Sequence, residues 1–406
     1  MSLAFGQTVL AIPGPSPAPE RVQRAMHRGS PNIYEGELVD MMPGLVADLR
    51  TVARTEHDVS FYIANGHGAW EAALCNVLSR GDHVLVLATG RFAQGWREMA
   101  EKLGVTTDMI DFGPRAPIDV EQVVEALKAD DGRIKAVLCV QTDTASSVRN
   151  DIAALGRAIR ATGHEALFMV DCIASLGCEP FEMDAWNVDV MVTGCQKGLM
   201  TPAGVSFVYH GPRAWAAWEH ADLRSGYWDW ERRARPELFY QRFAGTAPTH
   251  HLYGLREALD MLVHEEGVEN AWARHATLAE AVWNAAEAWA EGGVVVPNVV
   301  DRAHRSIAVT TFRIEGGQAQ PLRQWCEHQM GVTLGVGLAL DMNSNVGAEL
   351  FRIGHMGHLS PHSLLGTLAV VDAGLKALGL PHGSGALDAA ISGIVEASRP
   401  AQARTA

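Results

Sequence analysis

Val192-Thr193-Gly194-Cys195-Gln196-Lys197-Gly198 closes an apolar run that begins at Val188. The run is short, continuous and rich in β-branched residues, which is how a strand buried on both faces reads. Lys197 stands just past the carboxyl end of that strand, between two glycines, in the region where open α/β sheets place their sites. Desolvation there lowers a lysine's pKa and turns its amine into a nucleophile towards carbonyls. A lysine leaving for solvent at a turn has the same local sequence, and the spacing leaves both readings open. The chain holds only five lysines, and Lys102, Lys128, Lys135 and Lys376 sit near helix ends or before a strand.

One unit upstream, Leu167-Phe168-Met169-Val170-Asp171 is a second apolar strand ending in a carboxylate. A buried charge without a partner is expensive, so Asp171 calls for a cap, an arginine or a cationic ligand atom. Beside Lys197 it suggests an amine and a carboxylate converging on one ligand. Further out, Asn65-Gly66-His67-Gly68 precedes the helical run Ala69-Trp70-Glu71-Ala72-Ala73-Leu74. Two glycines before a helix N-terminus let backbone amides approach an anion. The same residues also suit an ordinary glycine-rich turn, and the stretch is neither a G-x-G-x-x-G nor a Walker loop.

Between these points the pattern alternates. Helices are expected over 69–78, 92–103 and 152–161, and strands over 83–87, 136–140, 167–170, 188–192 and 205–209. Such alternation specifies an α/β fold with a mostly parallel sheet covered by helices on both faces. A long helical stretch over 252–291 breaks near Gly267 and leads to a small α/β region, with strands at 305–314 and 349–353 and helices at 320–330 and 361–378. The domain plan is therefore an N-terminal arm (1–20) carrying Ala11-Ile12-Pro13-Gly14-Pro15-Ser16-Pro17-Ala18-Pro19, a large domain (21–265), a small C-terminal domain (266–385) and a disordered tail (386–406).

The 406 residues are 48% hydrophobic and 20% charged, which excludes wholesale disorder. A net charge of −14 argues against docking on nucleic acid or anionic lipid. No apolar run is long enough for a membrane helix, and the first residues lack a signal-peptide pattern. The six cysteines form no C-x-x-C pair, as expected of free thiols in a cytoplasmic protein. The histidines show no H-E-x-x-H spacing, so no metal is expected.

Taken in order along the chain, these motifs resemble those of class V pyridoxal-phosphate aminotransferases, in the branch of serine–glyoxylate and alanine–glyoxylate aminotransferases. The likeness spans residues 12–380. It includes Pro13-Gly14-Pro15, the loop at Gly66-His67-Gly68, Val170-Asp171-Cys172, Cys195-Gln196-Lys197-Gly198, Leu252-Tyr253-Gly254-Leu255-Arg256-Glu257-Ala258-Leu259 and Phe351-Arg352-Ile353-Gly354-His355-Met356-Gly357. The resemblance implies a fold-type I enzyme with a seven-stranded large-domain sheet. It implies pyridoxal 5'-phosphate held as a Schiff base on Lys197, with Asp171 pairing with the ring nitrogen. By the same resemblance Gly66, His67, Gly68 and Gln196 belong to the phosphate cup, Phe92 stacks on the ring, and Arg352 grips the substrate carboxylate near Gly14. Thr246 reaches the cofactor of a partner subunit, so a homodimer with shared sites is implied. His355 is expected to support the site from behind.

Two stretches depart from the family pattern. Thr142-Asp143-Thr144-Ala145-Ser146-Ser147-Val148 carries Ala145 where a cofactor-contacting hydroxyl is common, leaving Thr144 or Ser146 to substitute. His27-Arg28-Gly29-Ser30-Pro31 differs in a segment that lines the substrate pocket in the family. The expected reaction moves an amino group from serine or alanine to glyoxylate. Aspartate–glyoxylate, ureidoglycine–glyoxylate or pyruvate-using aminotransferases, a lyase, and a non-catalytic α/β binding protein are the alternatives. Arg28 and Arg224 are the candidate second cations that aspartate would require.

Overall fold

A computed structural model describes residues 2–338 and 345–399. The described residues form twelve strands. In the large domain they are β2 (Asp58–Tyr62), β3 (His83–Ala88), β4 (Thr106–Asp111), β5 (Ile134–Val140), β6 (Leu167–Asp171), β7 (Val190–Gly194) and β8 (Ser206–His210). They form one seven-stranded sheet in the order β2-β8-β7-β6-β5-β3-β4. β8 runs antiparallel to both of its neighbours, and every other pair is parallel. Strands β3, β6 and β7 are buried along their whole length, as the unbroken apolar runs require.

Side-chain alternation divides the core between the two faces. Phe168 and Val170 join one apolar cluster with Phe61 and Phe207. Leu167 and Met169 join the other, with Trp70 and Trp96. Asp171 shares the parity of Leu167 and Met169, so its carboxylate faces the side on which Trp70 packs. The register places Val140 opposite Asp171 and Asp171 opposite Val192. The ends of β5, β6 and β7 therefore deliver their following loops to one edge.

The small domain is built on β1 (Val9–Ala11), β9 (Val295–Pro297), β10 (Val309–Ile314), β11 (Val332–Val336) and β12 (Leu350–Gly354), in the order β1-β11-β12-β10-β9. β1 lies parallel to β11, so part of the expected arm is an edge strand of this sheet. The helix Thr249–Leu259 passes through a π-helical segment, Asp260–Glu266, to Gly267 at φ +84°. The helix Val268–Ala290 then carries the chain into the small domain. The interruption expected near Gly267 is thus a π-helical segment closed by a left-handed glycine. Phe312 and Phe351 stack at 4.6 Å in the small-domain core.

The disordered tail expected from 386 is corrected over most of its length. Ala386–Ser398 is a helix, and Ala386 and Ala390 are buried in the small-domain core. Their i, i+4 spacing puts both on one face. Residues 400–406 lie outside the described residues.

Candidate active site

Beyond β7 the chain turns so that Gln196 and Lys197 lie against the proline-rich segment of the N-terminus. The Ser16 N–H donates to the Gln196 carbonyl at 2.9 Å, and its hydroxyl donates to the Lys197 carbonyl at 2.8 Å. Lys197 Nζ donates to the Pro13 carbonyl. Gly14 sits at φ +112°, and a Cβ there would come within 2.1 Å of Lys197 Nζ, so both backbone and space demand glycine. Burial pushes the Lys197 amine down to about 8, the Arg352 charge pushes the same way, and Asp171 opposes both. A lysine so placed is still mostly protonated at pH 7, but it carries far more free amine there than an ordinary lysine.

Asp171 ends β6 with a relative exposure of 3%. Its Oδ1 accepts the Ile173 N–H at 2.7 Å and its Oδ2 accepts the Trp70 indole N–H at 2.7 Å. Burial pushes the carboxyl up to about 7 against these two donors, and nearby Asp143 adds to the push while Lys197 opposes it. Asp143 is itself fully buried in the loop after β5. It accepts the Phe92 N–H at 2.7 Å and the Ala145 N–H at 2.9 Å. Gly90 leaves room for it, since a Cβ there would lie 2.2 Å from Asp143 Cγ. One carboxylate thus ties Phe92 to the loop that carries Thr144.

Across from them, the helix Gly66–Val77 presents its N-terminus. The Asn65 side chain caps it, accepting the N–H groups of His67 at 3.1 Å and Gly68 at 3.4 Å. Gly66 is packed closely: a Cβ would meet Ile173 Cδ1 at 2.3 Å. His67 leans on Trp70 at 4.6 Å between ring centres, and burial lowers its pKa. Gly14, Gly66, His67, Phe92, Thr144, Asp171, Gln196 and Lys197 all line one cavity of ≈ 290 Å³, together with Asn65 and Trp70.

The other expected site residues lie elsewhere. Gly68 is behind the cup, where a Cβ would strike Ala64 at 2.6 Å and Trp228 at 3.3 Å. Arg352 is buried in β12; its Nε donates to the Val336 carbonyl at 2.7 Å and its Nη1 to the Thr144 carbonyl at 2.8 Å. Burial pushes its guanidinium down to about 10, with Asp143 opposing. Thr246 is exposed, in the turn after Ala244 and Gly245, which have φ of +53° and +142°. His355 donates to the Ile307 carbonyl at 2.9 Å and contacts the Thr310 hydroxyl at 2.9 Å, and burial lowers it to about 3. A ring so neutral and so committed is structural. Arg28 pairs with Glu37 at 2.9 Å, and Arg224 lies 4.3 Å over the Trp218 ring.

Trp70, Asp143, Asn65 and Ser16 are the contributors that the sequence reading gave no role. Asn65 had a visible signal, as an N-cap residue directly before a helix. Ser16 stood in a quoted proline-rich stretch without one. Trp70 and Asp143 act across long sequence separations that no local pattern displays.

A lysine amine of lowered pKa, a buried carboxylate, an aromatic ring and a helix N-terminus surround a slot suited to a flat aromatic aldehyde bearing a phosphate. The orphaned, buried Gln196 Oε1 and the cradle left by Gly14 and Gly66 fit such a group. With the sheet order and the small domain, this defines a fold-type I pyridoxal-phosphate enzyme. Residues 25–351 match the family model of class V aminotransferases. The chain is 37% identical over 387 residues to the serine–glyoxylate aminotransferase of Methylorubrum extorquens, covering 91% of this chain and 93% of that one. It is 33% identical to the L-aspartate–glyoxylate aminotransferase of Paracoccus denitrificans, covering 92% and 93%. The solved pyridoxamine–pyruvate aminotransferase of Mesorhizobium loti superposes with a TM-score of 0.86 at 26% identity, covering 97% of this chain and 99% of that one. The chain belongs to the class V aminotransferases and is a pyridoxal-phosphate-dependent transaminase.

Proposed function

We propose that this enzyme moves the amino group of a small neutral amino acid, serine or alanine, to glyoxylate, which leaves as glycine. Lys197 opposite Asp171 in the ≈ 290 Å³ cavity carries the reading. The bound cofactor supplies an aldehyde for amines and a ring that withdraws electrons from the donor's α-carbon. Lys197 would hold the aldehyde through its Nζ, and that amine is the group placed to take the donor's α-proton. Asp171 holds a proton on the ring nitrogen by remaining anionic beside it. Gly66, His67 and Gln196 hold the phosphate, and Phe92 stacks on the ring. Thr144 takes the polar contact that Ala145 does not offer. Arg352, whose Nη2 makes no hydrogen bond among the described residues, anchors the substrate carboxylate.

The serine–glyoxylate relative supports the choice of donor, and so does the local charge. Aspartate calls for a second cation. Arg28 and Arg224 are engaged elsewhere. The active form is a homodimer in which Thr246 serves the partner subunit's site. The six buried, unpaired thiols suit a cytoplasmic setting, and no helix among the described residues is long and apolar enough to cross a membrane. Steady-state rates with serine, alanine and aspartate against glyoxylate and pyruvate test the reading. Serine or alanine with glyoxylate is expected to give the highest kcat/KM. A preference for aspartate or pyruvate overturns it.

A further inference from the structure

We propose that Trp70 is the positioning residue of this active site, holding Asp171 oriented and anionic through its indole N–H. The inference rests on the cofactor reading of the site. Trp70 and Asp171 are 101 residues apart in sequence, both are buried, and Nε1 lies 2.7 Å from Oδ2. The Ile173 N–H on Oδ1 comes with the local turn after β6. The Oδ2 contact is different, because the helix Gly66–Val77 must bring a side chain across to make it.

The indole is itself held in place. Trp70 stacks on Trp96 at 6.0 Å and 15°, and meets the Phe92 ring edge-on at 6.2 Å. Gly95, in the middle of the helix Arg91–Lys102, lies against the ring: a Cβ there would approach Trp70 Cζ3 to 3.3 Å. A glycine inside a helix weakens it, and this one gives the indole its seat. Among the described residues the charged or titratable neighbours of Asp171 are Asp143 after β5, Lys197 after β7, and the thiols of Cys139 and Cys172. Burial raises both thiols, so they stay neutral. In the cofactor-free protein Asp143 disfavours the anion, and Lys197 supports it only while its amine is protonated. The two N–H donors then carry the anion against burial. Losing the indole donor therefore leaves a carboxyl that protonates more readily and turns more freely.

The test is cofactor affinity of the resolved protein. Pyridoxal 5'-phosphate is titrated into wild type, Trp70→Phe, Asp171→Asn and the double variant between pH 6.5 and 9, following the visible band. Trp70→Phe is expected to bind roughly tenfold more weakly at pH 6.5, with the gap closing to about threefold at pH 9 as Asp171 ionises unaided. In the Asp171→Asn background, where nothing ionises, the same change is expected to add less than about twofold and no pH dependence. A pH-independent loss, or an equal loss in both backgrounds, assigns Trp70 to packing and overturns the proposal. Should Trp70→Phe fail to fold, Gly95→Ala crowds the ring without removing it. The same pH-dependent weakening at smaller amplitude is expected, and an unchanged pH profile overturns the proposal. Wild type that takes up no cofactor would instead fail the reading of the site itself.

Discussion

Lys197 owes its lowered pKa to where β7 ends. Four other lysines share its side chain, but Lys197 lines a cavity with its amine against Gly14 and within the field of Arg352. An amine pushed down to about 8 is mostly protonated at pH 7 and mostly free at pH 9. The rate at which the cofactor-free protein captures pyridoxal phosphate is therefore expected to rise with pH through a midpoint near 8 and then level off. Stopped-flow absorbance of capture checks this, and a midpoint in the ordinary lysine range near 10 would contradict it. Lys197→Ala is expected to purify folded, to lose the pH-dependent capture and to lose transamination. Near wild-type turnover by that variant would remove Lys197 from the chemistry.

The elements explain why some of this was readable and some was not. Strands β6 and β7 are buried on both faces, so they stand out as apolar runs, and the polar residues that end them, Asp171 and Lys197, stand out in turn. Strand β4 sits at the sheet edge with no residue fully buried, and its Thr106-Thr107-Asp108-Met109-Ile110-Asp111 gives no such run. The helix Ala386–Ser398 was hidden by Gly, Ser and Ala composition, although its apolar spacing faces the core. Asp143 and Trp70 escaped because their bonds span 51 and 101 residues. Arg352 was legible as a strand residue, but its links to the Val336 and Thr144 carbonyls, which join β11 of the small domain to the loop after β5, were not. Arg352→Lys keeps the charge and loses the planar fork. It is expected to lower kcat/KM for donor and for glyoxylate by at least about a hundredfold, with cofactor affinity within about threefold of wild type. Wild-type KM for glyoxylate in this variant would exclude Arg352 as the carboxylate anchor.

At the scale of the molecule, one chain leaves part of the expected site unused. Thr246 is exposed and outside its own chain's cavity, although the family pattern gives it a phosphate contact. Exposed apolar residues precede it in the chain at Leu238 and Tyr240, and others, Ile63 and Tyr227, are joined by the hydrogen bond from the Tyr227 hydroxyl to the Ile63 carbonyl. Ile63 lies just ahead of the helix N-terminus at Gly66, and apolar surface of this kind suits burial against a second copy. If each site takes Lys197 from one subunit and Thr246 from the other, two inactive variants can repair each other. Lys197→Ala removes the amine, and Thr246→Arg places a bulky side chain in the neighbour's cup. Each is expected to be inactive as a homodimer. In the mixed dimer, one site receives both mutations and the other receives neither. Random reassociation makes about half of the dimers mixed, each with one intact site, so specific activity should return to about a quarter of wild type. The measurement is activity after the two purified variants are unfolded together and refolded, with each variant refolded alone as control. Activity that stays at the level of the controls, while sizing confirms mixed dimers, would mean that Thr246 acts within its own chain or has no part in the site.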